Sequence, residues 1–340
     1  MILSFDIGGT AIKFGIINNQ GKLTEKYSMA TDAHLGGPSI LLRIIDTIHD
    51  FKHTHEISGI AISSAGVIDP IHGIVLATTD TMKDYAGIHL KEEIEKNTGI
   101  FTTVENDVNC AALAESVFGN PPLQDFLAMT IGTGIGGAIV VNGKIVHGNS
   151  YSAGEWGRML IHGIPYEKLA SLSSLLLYAR ELGLQVNHTH EVFEKYDQKD
   201  PIAVKVIDRF YQYLADGIVN LIYTFNPSHL VIGGGISNRG DQFILELRSV
   251  LKQKIEPYFI DSFDIQLATL KNDSGMLGAF IHHQFQQRKK WFPSLFNWQD
   301  NGLNLVFFYG KYLTSTPTSN MRFQGIQTCW ILICFSMGSR

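Results

Sequence analysis

Cysteine is scarce in this chain. Its three residues, Cys110, Cys329 and Cys334, have neither the number nor the spacing of a disulfide framework or a four-ligand zinc site. A reducing, cytoplasmic setting is the expectation. Positive charge is not in surplus either: 27 Lys and Arg against 32 Asp and Glu leave a formal net charge of −5, with no dense basic cluster. That balance argues against nucleic acid as a partner. Before residue 290 nothing approaches the run of about 18 apolar residues that a membrane-spanning helix needs. The apolar stretch 329–335 falls short of a membrane anchor by about ten residues. The N-terminus shows no basic segment, apolar run and small-residue cleavage site, so no signal peptide is expected. No membrane partner is expected.

What the chain has is glycine at strand ends and a polar pair at a strand-to-helix junction. Its 340 residues, 45% apolar and 17% charged, suffice for two lobes with separate cores. Residues 101–104 read as a strand, and Ala111, Leu113, Ala114 and Val117 then repeat at roughly helical spacing. Asn106 and Asp107 stand between them. A carboxylate there faces the positive end of the helix dipole, which should keep Asp107 ionised and able to accept a proton. The plainer reading is that one of the two only caps the helix.

Residues 2–5 form a short apolar strand and Asp6-Ile7-Gly8-Gly9-Thr10 a tight turn. Ile12, Phe14 and Ile16 then alternate down a returning strand. Adjacent glycines let backbone N–H groups approach an anion, and Thr10 adds a hydroxyl. Asp6 would repel phosphate, so a divalent cation between them is expected, most simply Mg²⁺ held through water. Alone, such a turn can equally be a plain hairpin. The plan repeats in the second half: an apolar strand at 126–131, then Gly132-Thr133-Gly134-Ile135-Gly136-Gly137, then a strand and an Asn142-Gly143 hairpin. Gly132, Gly134 and Gly137 satisfy G-x-G-x-x-G, but a dinucleotide fingerprint opens a helix and this one opens a strand. No P-loop pattern occurs.

The segment 151–159 reads as a loop lining a cleft. Glu167 precedes a helix through Leu169, Leu172, Leu176 and Ala179. A long helix from Ile202, carrying Val206, Phe210, Leu214, Ile218, Leu221 and Phe225 on one side, ends at Asn226-Pro227. The strand Leu230-Val231-Ile232 leads to Gly233-Gly234-Gly235-Ile236-Ser237, where bare backbone could meet a flat ring such as adenine, or simply turn tightly. A last helix opens at Gly275 and runs to about Gln287. Residues 288–340 change in character, with few charges and no sustained period, and read as an atypical tail apart from the fold.

With these motifs in order, residues 1 to about 287 resemble the ROK family of sugar kinases and repressors, within the actin-like ATPase superfamily. Asp6-Ile7-Gly8-Gly9-Thr10 resembles the family's first phosphate motif, residues 132–137 its second, and residues 230–237 its adenosine motif. Glu105-Asn106-Asp107 is similar to its catalytic signature, whose aspartate is the base. The resemblance implies a two-lobed α/β fold, actin-like and ribonuclease H-like, with a cleft between lobes 1–117 and 118–287. It implies transfer of the ATP γ-phosphoryl group to a sugar hydroxyl, usually O6 of a hexose. Asp107 would be the base, and Gly66, Asn106, Glu155, Arg158 and Glu167 would face the sugar. Asp6, Gly8, Gly9, Thr10, Lys13, Gly132, Thr133, Gly134, Gly136, Gly234 and Gly235 would face ATP, with Mg²⁺ near Asp6. Such chemistry rests on positioning and charge neutralisation.

Two departures from the family stand out. Histidine is usual where Arg158 stands, and a cysteine-rich zinc loop usually follows it before the glutamate matched by Glu167. Nothing between Arg158 and Glu167 supplies thiolates, and His162 alone is a poor metal site, so no zinc is expected. Zinc-lacking members similar to this chain include β-glucoside kinases and some assigned as N-acetylmannosamine kinases; glucokinase is a further alternative. A shorter loop would leave room for an aglycone or N-acetyl group. ROK repressors carry a helix-turn-helix domain ahead of the shared core, whereas this chain enters its first strand at Ile2, so a non-catalytic regulator is the second reading. Family members often dimerise, which makes a homodimer an expectation of the resemblance.

Overall fold

Apolar residues alternating with polar ones build a meander of β1 (Ile2–Ile7), β2 (Ala11–Ile17) and β3 (Leu23–Ala30), all antiparallel. The chain is described here from a computed structural model covering residues 1–78 and 82–291. The amphipathic helix α1 (Gly37–Lys52) buries Ile40, Ile44, Ile45 and Ile48, and carries the chain across to β4 (Gly59–Ser64), which lies parallel to β1. A small hairpin of β5 (Val67–Asp69) and β6 (Ile74–Ala77) follows. The short helix α2 (Leu90–Thr98) ends at Gly99, whose left-handed φ of 72° terminates it without steric cost. β7 (Thr102–Asn106) then pairs parallel with β4, completing a sheet of order β3-β2-β1-β4-β7.

The helix α3 (Asp107–Phe118) leads to a second sheet built on the same plan. Its meander is β8 (Phe126–Ile131), β9 (Ile135–Val141) and β10 (Lys144–Ile145). After it come a two-stranded hairpin of β11 (Leu160–Ile161) and β12 (Ile164–Pro165), and the helices α4 (Glu167–Ala170), α5 (Leu172–Glu181), α6 (Thr189–Asp197) and α7 (Pro201–Phe225). β13 (His229–Gly233) lies parallel to β8. It is followed by α8 (Asp241–Leu251), α9 (Pro257–Ile260) and β14 (Asp264–Leu267), giving the order β10-β9-β8-β13-β14. The final helix α10 (Ser274–Trp291) returns to the first sheet and packs on α3, β4, β1 and β7. Gly278 of α10 lies against the Cys110 carbonyl of α3, where a side chain would strike backbone.

Each sheet has its own core. Around the first are Leu3, Phe5, Ile44, Ile48, Ile62 and Val104. Around the second, Met129, Phe210, Leu214, Ile218 and Ile232 are fully buried. The long-helix stripe is as the spacing predicts except at its end, where Phe225 is exposed. The helix expected from Glu167 through Ala179 is broken in two, because Ser171 adopts an extended conformation and its hydroxyl accepts the Ser174 N–H, capping a new helix. The expected loop 151–159 contains a short turn, Trp156–Arg158, that buries the Trp156 ring. The last helix runs to Trp291, four residues past its expected end. The tail beyond it lies outside the described residues. Among the described residues no helix is long and apolar enough to cross a membrane.

Candidate active site

The strand-to-helix junction divides its two polar residues between two tasks. Asn106 is the cap: its Oδ1 accepts the N–H groups of Val108 at 2.9 Å and Asn109 at 3.0 Å. Its Nδ2 donates to the Gly66 carbonyl and to Asp107 Oδ1, each at 2.9 Å. Asp107 shares only the Val108 N–H with this cap. Its Oδ1 takes the Asn106 amide and the Val108 N–H, both at 2.9 Å, and no hydrogen bond from another described residue reaches Oδ2. The helix start alone would favour the ionised carboxylate, but it is not the dominant influence. Burial, and after it the negative charge of Asp6, outweigh the stabilising N–H groups and push the carboxyl up to about 7, with Glu155 adding to the rise.

Asp6 lies next to the end of β1, which is separated by β4 from β7, the strand that leads into Asp107. Asp6 Oδ1 accepts the Ser63 hydroxyl at 2.8 Å, and its Oδ2 faces Lys13 Nζ at 3.5 Å. Gly275, at the start of α10, lies directly against this carboxylate, with no space for a side chain. At the hairpin tip, Gly9 and Thr10 are exposed, while Gly8 donates its N–H to the Ala11 carbonyl and accepts the Thr31 hydroxyl. The tip is thus fixed at its base and open at its end.

The second glycine loop is drawn in against the same junction. A Cβ on Gly136 would lie 2.7 Å from Val108 Cγ2 and 2.8 Å from Thr130 Oγ1. A Cβ on Gly134 would lie 2.7 Å from Glu167 Oε2. These glycines permit close approach of β9 to α3 and to α4. Thr133 is exposed at the tip, and the Gly132 carbonyl accepts the Leu172 N–H at 2.8 Å. Glu167 also borders Gly157, and Arg158 Nε lies 3.3 Å from Glu155 Oε2, so Glu155, Arg158 and Glu167 share one loop region. The adenosine-type glycines have a packing reason of their own. Gly234, at φ 85°, would place a Cβ 2.6 Å from the Ile131 carbonyl, and Gly235 meets the Leu172 side chain. The sequence-derived candidates are thus linked by charge from Asp6 to Asp107 and by close packing from the second loop to Glu167.

Ser63, His147 and Gly275 are not among the sequence-derived candidates, and Glu105 enters there only as part of the Glu105-Asn106-Asp107 motif, with no role of its own. Glu105 carries the one available signal: a carboxylate that follows Thr102, Thr103 and Val104 in a strand needs a partner if buried. Among the described residues no group of three or more His, Cys, Asp or Glu side chains is arranged to hold a metal ion. His162 faces Asp216 at 3.5 Å.

The ROK family model matches residues 2–285. A β-glucoside kinase of Listeria innocua is 36% identical over 301 residues, 85% of this chain and 99% of the relative. A glucokinase of Halalkalibacterium halodurans is 30% identical, covering 81% of this chain and 92% of its own. Among solved structures, a Listeria monocytogenes protein described as a candidate N-acetylmannosamine kinase superposes with a TM-score of 0.76 at 34% identity, over 84% of this chain and 99% of that one. A ROK glucokinase of Streptomyces griseus, solved with glucose and AMPPNP, gives 0.71 at 25% identity, over 83% and 99%. The paired five-stranded sheets are the actin-like fold of these kinases. By the match along its length and by these relatives, the chain belongs to the ROK family.

Proposed function

We propose that this ATP-dependent sugar kinase transfers the γ-phosphoryl group to O6 of a hexose or hexoside, with cellobiose-like β-glucosides as the leading acceptors and Asp107 as the base. The observation that carries this reading is the division of labour at the junction: Asn106 caps α3, leaving Asp107 Oδ2 without a hydrogen bond from another described residue. A carboxylate near neutrality in its proton affinity suits a general base at cellular pH. Asp107 takes the hydroxyl proton as the sugar oxygen attacks phosphorus and the bond to the leaving ADP oxygen breaks. Asn106, the Gly66 backbone, Glu155, Arg158 and Glu167 orient the other hydroxyls.

The exposed tip of Gly9 and Thr10, with Gly8 and Lys13, would hold phosphate oxygens opposite Gly132, Thr133, Gly134 and Gly136. Gly234 and Gly235 would border the adenosine. The hard oxygens of Asp6 fit Mg²⁺ held through water, which when bound would neutralise phosphate charge. Residues 1–117 and 118–287 act as lobes whose closure excludes water and suppresses ATP hydrolysis. The cytoplasm is the setting this chemistry needs, and a homodimer is the assembly to be sought by light scattering.

The acceptor preference is supported by the β-glucoside kinase relatives and by the short β11–β12 hairpin between Arg158 and Glu167, which would leave room beyond the phosphorylated ring. A coupled ADP-release assay with ATP and Mg²⁺ tests it across glucose, cellobiose, gentiobiose, N-acetylmannosamine, N-acetylglucosamine and mannose. Preference for the two disaccharides supports the reading; activity on glucose or N-acetylmannosamine alone replaces it with that kinase. Silence on all six, from folded protein, favours a regulator.

A further inference from the structure

Glu105 is a buried carboxylate that the proposed reaction does not use. Its side chain is 1% exposed, and its Cα pairs across β7 and β4 with Ser63, which pairs in turn with Asp6. The three side chains therefore share one face of the sheet. One Glu105 oxygen, Oε1, accepts the Asn106 N–H at 2.8 Å and the Asn109 Nδ2 at 3.0 Å. Both donors flank Asp107, one at the strand end and one in the first turn of α3. The other oxygen, Oε2, meets His147 Nε2 at 2.7 Å and faces His282 Nδ1 of α10 at 3.4 Å.

Burial alone would raise this carboxyl, but the His147 hydrogen bond, the charges of His282 and His147, and the Asn109 amide together hold it below its ordinary value. A buried carboxylate persists only when each oxygen is satisfied, and here one oxygen is satisfied by the site and the other from elsewhere. His147 follows β10 and begins the segment leading to Glu155. Its carbonyl accepts the Ala153 N–H at 3.1 Å, and its ring meets that of Tyr151 edge-on. Glu155 in turn acts on Asp107 through its charge.

We propose that Glu105, gripped by His147, is a positioning residue that fixes the Asn106 and Asp107 backbone relative to the sugar-facing segment 147–155. The inference rests on Asp107 being the base. A shift of about 1 Å in a reacting group costs up to 10²-fold in rate, so the grip acts on kcat rather than on binding.

The test compares His147→Leu, His147→Gln and Glu105→Gln in the full chain, with Asp107→Asn as reference. Steady-state kcat, KM for ATP and for the best sugar, and thermal midpoints are measured for each. His147→Leu should lower kcat on the order of tenfold with both KM values within about twofold, the signature of an interaction expressed in the transition state. His147→Gln, whose amide can still donate to Glu105, should recover most of that loss at a thermal midpoint equal to that of the leucine variant. Glu105→Gln, which keeps an acceptor for Asn106, should lie between. Wild-type kcat in His147→Leu, or activity that tracks thermal stability without glutamine rescue, overturns the positioning role. Full turnover in Asp107→Asn instead removes the base assignment, whatever the His147 variants do.

Discussion

The negative charge of Asp6 acts on Asp107 across the strand ends, and after burial it is the largest influence lifting Asp107 to about 7. A negative charge acting on a buried carboxylate raises its proton affinity and makes it a better base. The pH dependence of activity follows. An ionised base is required, so kcat/KM should rise with pH through an acid limb near 7 in the free enzyme. Asp6→Asn removes the repulsion and should move that limb to lower pH, which a pH profile of any residual activity would show. A limb that stays in place would detach Asp6 from Asp107.

The same shift has a stability consequence of opposite sense. Asp107 binds its proton more tightly folded than unfolded, so its contribution is fully present below the unfolded value near 3.8 and is lost as pH rises to about 7. Asp107→Asn, which cannot ionise, should therefore gain in Tm relative to wild type as the pH is raised from 4 to 8. Thermal scans at several pH values check the sign.

Glu115 ties α3 to the segment after β14. Its carboxylate accepts the Thr269 N–H at 2.7 Å, the Leu270 N–H at 2.9 Å and the Thr269 hydroxyl at 2.9 Å. Glu115→Ala leaves these donors without their acceptor and should cost about 2–4 kcal/mol. Denaturant unfolding should show a lower midpoint, with Glu115→Gln between the two.

Glycine substitution should separate packing from chemistry. Gly278→Ala drives a methyl into the Cys110 carbonyl and should destabilise by about 3 kcal/mol or more, since backbone cannot yield as a flexible side chain can. Gly136→Ala meets Val108 and Thr130 side-chain atoms instead. It should cost about 1–3 kcal/mol while also lowering kcat, because Val108 adjoins Asp107. Thermal midpoints and kcat measured on both variants distinguish these outcomes.

Much of this was legible in the sequence, because local pattern specifies local structure. The alternation of Ile12, Phe14 and Ile16, the glycine turns and the Asn106-Asp107 junction each depend on residues close together in the chain. What could not be read depends on distant partners. Nothing near Glu105 announces His147 or His282, and the pull of the helix start on Asp107 could be judged only once Asp6 and the surrounding burial were in place. The break at Ser171 did have a local signal, a serine three residues ahead of Ser174, but the apolar spacing across it suggested one helix. In the sequence, glycines 134, 136 and 234 read as open backbone for phosphate or adenine. Their contacts with Glu167, Val108 and Ile131 show that close packing also requires them.

The most direct measurement is turnover and sugar binding by Asp107→Asn beside the wild type. The asparagine can still accept the Val108 N–H, so the fold and the capped helix should persist. Turnover should fall by about three orders of magnitude, as for loss of a general base, while calorimetry still detects the sugar. Wild-type turnover in this variant would contradict the assignment of Asp107 as the base on which the account rests.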